Sequence, residues 1–207
     1  LTKKILGLNP HIVIEPNRFS IGEDFITQLI KDFKDISLSK SYSGEGIVMN
    51  NDNAKGVIIK GVNKNEKRII NFLNKNISSG SIEKFNKNQI FIGAELAFNL
   101  DLKEGDKISL MSSAFVATPL GSLPKQESFR IAGTFNTGFL EFDQNIIFVN
   151  TQDALSLFDK EERDQNIEIY LKDPLKANAY KKEIEKINQN YFIYTWSDLN
   201  KSFFSAL

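Results

Sequence analysis

His11 is the only imidazole in the chain, and no cysteine stands anywhere in its 207 residues. A lone histidine in the apolar run His11-Ile-Val-Ile-Glu15 cannot build a triad or a multi-histidine metal site without helpers, so it reads as a satisfied structural side chain. The missing thiols exclude disulfides, thiolate nucleophiles and cysteine-based zinc sites. Glu141, Asp143, Glu161 and Glu162 could in principle pair for acid–base work. That chemistry needs a fixed carboxylate separation, and acids in turns are the commoner state. Asn50-Asn-Asp-Asn53 lacks the spaced acidic ligands of a calcium loop and reads as a turn. Gly133-Thr-Phe-Asn-Thr-Gly138 lacks phosphate-loop spacing, and no Walker A, dinucleotide-binding or nucleophile-elbow pattern occurs. The expectation is a protein that is not an enzyme and that uses no cofactor and no metal.

The residues that stand out are instead apolar. Between strand-like runs ending near Met111 and starting near Phe129 lies a long segment, residues 112–128, read as a loop. Hairpin loops usually take about 2–5 residues. This one carries Phe115, Val116, Leu120 and Leu123 among Pro119, Gly121 and Pro124. Prolines stiffen a loop and discourage sheet growth. A stiff segment with apolar side chains can present a partner-binding finger at low entropic cost. The bland alternative is a segment folded back over an apolar patch.

Composition narrows the classes further. Lys and Arg number 26, Asp and Glu 26, so the formal net charge is zero. Such a chain has no global field to gather phosphate backbones, which argues against nucleic acid. The hydrophobic share of 41% suffices for a core. No apolar run reaches the roughly 18–20 residues of a membrane helix, and no signal peptide is legible. The chain begins at Leu1 and ends at Ser205-Ala-Leu207, which reads as a segment of a longer protein.

The elements that must position these residues follow from periodicity. At the N-terminal end a strand at 11–15 precedes Ser20-Ile-Gly-Glu23, a capping-box pattern. Phe25, Ile26, Leu29, Ile30 and Phe33 then recur at helical spacing, predicting a helix over 22–33. Strands are expected at 41–49 and 56–62. At the other end Ile167–Leu171 alternates as a strand, Asp173-Pro174 starts a helix running to about Asn188, and Tyr191–Thr195 closes as a strand. Trp196 is expected to anchor in the core, and Lys181-Lys182 to face solvent. Each end is thus a strand–helix–strand unit that cannot bury its sheet faces alone. Two of them side by side give an α+β, split βαβ (ferredoxin-like) layer, expected from residues 1–62 and 165–207. The middle, 63–164, is expected to be an inserted β-rich subdomain. Its elements are a helix near 66–74, strands at 90–92, 107–111, 129–135 and 146–150, and short helices at 94–99 and 153–158.

Several phrases in order resemble a known family. They are Leu6-Gly-Leu-Asn-Pro-His11, Gly93-Ala-Glu-Leu-Ala97 with Leu102-Lys-Glu-Gly-Asp106, Thr118-Pro-Leu-Gly-Ser-Leu-Pro124, Phe129-Arg-Ile-Ala-Gly-Thr-Phe135, Phe148-Val149 with Asp153-Ala154, and Trp196-Ser-Asp-Leu-Asn200. The set resembles the periplasmic domain of the LolC/LolE transmembrane subunits of lipoprotein-releasing ABC transporters, and Lys201–Leu207 resembles that family's approach to its second membrane helix. The resemblance implies a MacB-like fold, a porter-type subdomain holding an inserted Sabre-type one, in a protein of the bacterial inner membrane. It implies that ATP is hydrolysed by a separate cytoplasmic subunit, LolD. It also implies a second LolC/LolE-type subunit, lipoproteins as cargo, and a soluble carrier, LolA, captured by a protruding hook. The hook core Thr-Pro-x-Gly-x-x-Pro falls on Thr118, Pro119, Gly121 and Pro124, with Leu120 and Leu123 as apolar contacts and Gln126 as a flanking polar one. Glu127 departs from the basic residue commoner there. The match favours LolC over LolE, while a hybrid subunit acting as a homodimer stays open. The rival readings are another MacB-type permease, for export or envelope signalling, and, last, a periplasmic hydrolase.

Overall fold

Apolar residues recur every second position in the short runs and every third or fourth in the longer ones, and the chain folds accordingly. The computed structural model describes residues 9–51 and 53–199. The strands, in chain order, are β1 (Ile12–Glu15), β2 (Ile36–Ser41), β3 (Ser43–Asn50), β4 (Asn53–Val62), β5 (Ile77–Gly80), β6 (Gln89–Gly93), β7 (Lys107–Thr118), β8 (Gly121–Phe135), β9 (Ile146–Asn150), β10 (Asn166–Leu171) and β11 (Phe192–Thr195). They divide between two units, one from the chain ends (Leu1–Ser41 and Glu162–Leu207) and one from Tyr42–Glu161. Among the described residues no helix is long and apolar enough to cross a membrane.

The end-built unit is a four-stranded antiparallel sheet in the order β11-β1-β10-β2. Ile12 and Ile14, two apart, share a face with Ile167, Ile169 and Ile193. Helices Glu23–Asp32 and Ala177–Ile187 cover that face with Phe25, Leu29, Ala177 and Ile184. The capping box does not form. The helix starts at Glu23 with Gly22 as its cap, so Ser20 lies outside the first turn. The Tyr191 hydroxyl takes over there, accepting from the Gly22 N–H (3.2 Å) and donating to the Ser20 carbonyl (3.4 Å). Asp173 caps as expected, its carboxylate accepting from the Leu175 N–H (3.1 Å), but it caps one 3₁₀ turn, Pro174–Lys176, ahead of the helix. Lys181 does not simply face solvent: it pairs with Asp198 at 3.0 Å.

The middle unit runs β5-β8-β6-β9-β4-β3-β7, and β7 also pairs with β8, so six strands close into a ring with β5 outside. Val48, Ile59, Ile90, Ile92, Leu110, Phe129, Ile131, Ile147 and Val149 form one core there. Helix Lys67–Asn76 seals a second with Ile69 and Leu73 against Phe91, Phe135 and Phe148. Two sequence expectations are corrected. Residues 43–62, grouped above with the N-terminal part, belong to this sheet: β3 pairs with β7, and β4 runs parallel to β9. Such non-local pairings leave no mark on local periodicity. Residues 112–128 are not a loop but the outer halves of β7 and β8.

Candidate partner-binding hairpin

The hairpin is built by a two-residue turn. Thr118 pairs with Gly121, leaving only Pro119 and Leu120 at the bend. Proline at the second position presets its φ, and Gly121 takes φ +116°, a conformation that a side chain would strain. The Thr118 hydroxyl locks the turn, donating to the Gly121 carbonyl (2.7 Å) and accepting from the Leu120 N–H (3.2 Å). Below the turn Val116 faces Leu123 and Phe115 faces Pro124 across the strands. Because successive side chains alternate, the first pair lies on one face of the ribbon and the second on the other.

The apolar surface is real. Leu120 is 94% exposed, Phe115 63% and Leu123 51%. Scattered exposed leucines need no explanation, but a contiguous set at the end of a ribbon does. A free two-stranded ribbon is marginal in water. This one is strapped at its base to helix Thr151–Leu157. The Ser112 hydroxyl donates to the Leu157 carbonyl (2.6 Å) and accepts from the Ala114 N–H (3.1 Å). The Lys125 ammonium donates to the Ser156 carbonyl. Glu127 accepts from the Ser156 hydroxyl at 2.9 Å.

Thr118, Pro119, Leu120, Gly121, Leu123 and Pro124 are therefore brought together at one tip. Gln126 is not. It sits at the base, its amide donating to the Ser109 hydroxyl (2.6 Å) within the sheet. The bracing roles of Ser112, Lys125 and Glu127 were missed. Their partners lie some 30–45 residues away, and no local pattern announces such a contact.

The titratable residues are occupied elsewhere. His11 is buried, and its Nδ1 accepts from the Leu171 N–H at 2.8 Å. The Asp143 carboxylate, also buried, accepts from the Thr137 N–H (3.0 Å) and hydroxyl (2.8 Å), closing the turn that ends in Gly138. Asp153 is buried on the strapping helix and accepts from the Asn88 N–H at 2.7 Å. Burial pushes its carboxyl above the usual range against that bond, and nearby Glu127 adds to the rise. Asp198 is held down to about 2, first by the Thr195 N–H it accepts from, with the Lys181 ammonium and the Thr195 hydroxyl adding to this against desolvation. Among the described residues no group of three or more His, Asp or Glu side chains is placed to hold a metal ion.

With that geometry in place, the relatives are informative. The chain is similar to the lipoprotein-releasing system transmembrane protein LolC of Xylella fastidiosa, 24% identical over 153 residues, 72% of this chain and 37% of that protein. It is 24% identical over 169 residues to LolC of Neisseria meningitidis, 80% of this chain and 41% of that protein. An uncharacterized membrane protein of Buchnera aphidicola is 26% identical over 205 residues, 95% of this chain and 48% of that one. The chain thus spans well under half the length of each LolC protein it matches. Among solved structures, the extracellular domain of the noncanonic ABC-type transporter YknZ from Gram-positive bacteria superposes with a TM-score of 0.54 at 13% identity, covering 90% of this chain and all of that one. The periplasmic region of MacB from Actinobacillus actinomycetemcomitans gives 0.52 at 11%, covering 97% and 94%. Both establish a shared fold. No family model matches the chain.

Proposed function

We propose that this chain is the periplasmic domain of a LolC-type permease subunit in a lipoprotein-releasing ABC transporter of the bacterial inner membrane, and that its hairpin docks the soluble carrier LolA. The similarity to LolC and the shared fold with MacB support an ABC permease domain. The observation that carries the finer reading is the tip itself: Leu120, 94% exposed, stands on a turn locked by Thr118 and flanked by exposed Phe115, Val116 and Leu123. Among the described residues nothing covers Leu120. The end-built unit would be the porter-like subdomain, its order β11-β1-β10-β2 being that of a split βαβ pair, and the middle unit the Sabre-like one.

The work would be physical rather than chemical. Inserting Leu120 and Leu123 into an apolar groove of the carrier contributes about 1.5–3 kcal/mol each at full burial, before association costs. ATP hydrolysis by LolD, and pairing with a second LolC/LolE-type subunit, would drive the transfer of lipoprotein to the waiting carrier. Photocrosslinking from a reactive amino acid at position 120 in the intact envelope tests this. The carrier as the main adduct supports the reading, and adducts without it overturn it. The shared fold with MacB and YknZ keeps one rival alive, a permease for another export task. Deleting residues 115–124 would leave such a permease working and would abolish lipoprotein release by the one proposed.

A further inference from the structure

The two outer edges of the hairpin are not equivalent. A two-residue turn closes on a pair that exchanges both backbone hydrogen bonds, here Thr118 and Gly121. Pairs then alternate down the ribbon. Val116 with Leu123 is again hydrogen-bonded, whereas Ala117 with Ser122 and Phe115 with Pro124 are not. In these last two pairs the backbone N–H and C=O groups point outward, away from the partner strand. Among the described residues no strand but β8 pairs with β7 beyond Ser112, and none but β7 pairs with β8 ahead of Gln89's partner, Arg130. Both edges are therefore open.

On the β8 side the outward nitrogen at position 124 belongs to proline and donates nothing, which breaks any added ladder after Ser122. On the β7 side Phe115 and Ala117 offer two consecutive outward N–H and C=O sets. Within the irregularity between Met111 and Phe115 the Ala114 N–H is already taken by the Ser112 hydroxyl. The regular β7 edge starts at Phe115 and runs to the turn. Phe115 on one face and Val116 on the other flank it, both exposed.

Taking the carrier-docking reading as given, we propose that the partner is held by strand addition. An extended, unpaired backbone segment of the carrier, with apolar side chains on both faces, pairs with the β7 edge at Phe115 and Ala117. Main-chain bonds set its register, and Phe115, Val116 and Leu120 supply the apolar contacts. Pro124 makes the docking one-sided, so the carrier approaches from a single direction.

Ala117 and Ser122 face each other across the ribbon, so they provide matched variants. Ala117→Pro removes one outward N–H from the β7 edge, and Ser122→Pro removes one from the β8 edge. Neither touches a bond between the two strands or an apolar side chain of the tip. Titrating purified LolA-type carrier into the domain, Ala117→Pro is expected to weaken binding at least tenfold and Ser122→Pro less than threefold. Hydrogen exchange on the unmutated domain supplies a second readout that needs no variant to fold: the peptide spanning 113–118 gains clearly more protection in the complex than the one spanning 121–124. Wild-type affinity in Ala117→Pro, equal losses in both variants, or unchanged exchange at 113–118 in the complex would overturn strand addition while leaving carrier docking intact. No carrier binding by the unmutated domain would overturn the docking reading itself.

Discussion

The middle unit holds two hairpins that solve opposite problems. In β3–β4 the strands bury Val48, Val57 and Ile59, and the bend is polar: Asn51 takes φ +52°, and the Asn50 amide donates to the Leu100 carbonyl at 2.8 Å. In β7–β8 the base behaves likewise, burying Ile108, Leu110, Phe129 and Ile131. Past Ser112 the pattern inverts, and the end carries Phe115, Val116, Leu120 and Leu123 into solvent. The first hairpin sends most of its apolar residues to the core, with Ile47 and Ile58 on its outer face, and keeps its turn polar. The second carries apolar residues out to its turn, where Leu120 stands almost wholly in solvent and Val116 and Leu123 are half exposed. Buried and exposed apolar side chains are thus separated along one strand pair, with the boundary at Ser112.

Substitutions on either side of that boundary should behave differently. The largest effect is expected at Phe129→Ala, in the buried base. It should cost about 3–5 kcal/mol in urea unfolding, and a cost under about 1 kcal/mol would erase the contrast. Ser112→Ala sits on the boundary and leaves the Leu157 carbonyl and Ala114 N–H without their partner. About 1–2 kcal/mol of stability should go, with faster proteolysis within 112–128. A loss of stability without faster cleavage there would show that the strap does not hold the ribbon.

A smaller effect concerns the strapping helix. Asp153 has its carboxyl raised above the ordinary 3.8, chiefly by burial, so the folded state binds its proton more tightly than the unfolded one. Its contribution to stability therefore falls as pH rises from 3.8 through the raised value and stays lowered at neutral pH. Asp153→Asn keeps an oxygen for the Asn88 N–H and should flatten that slope, leaving the variant at least as stable as the parent near pH 7. Calorimetric melting from pH 4 to 7 reads this directly, and an unchanged slope would contradict it.

Much of this was legible in the sequence where the determinants are local. Periodicity located the helices Glu23–Asp32, Ala94–Asn99 and Ala177–Ile187, and the alternation in Ile167–Leu171 located β10. The tip residues were legible because apolar side chains among prolines and a glycine are out of place in a loop. Residues paired across long stretches of chain were not. β3 and β4 join the middle sheet through β7 and β9, and nothing local marks that choice. Pro119 and Pro124 mask strand alternation, so the sequence of the hairpin reads as a loop. Yet Pro119 with Gly121 two positions on is ordinary turn chemistry, and it could have revealed a two-residue bend. The expected phrase starting at Leu6, apart from Asn9, Pro10 and His11, lies outside the described residues, as do Asn200 and the run Lys201–Leu207.

If the tip serves a partner and not the fold, Leu120→Glu separates the two, in one titration of carrier into the purified domain with a parallel unfolding curve. At least a tenfold loss of affinity is expected, with stability unchanged to within about 0.5 kcal/mol. Unchanged affinity, or a loss of affinity that merely follows unfolding of the domain, would contradict it.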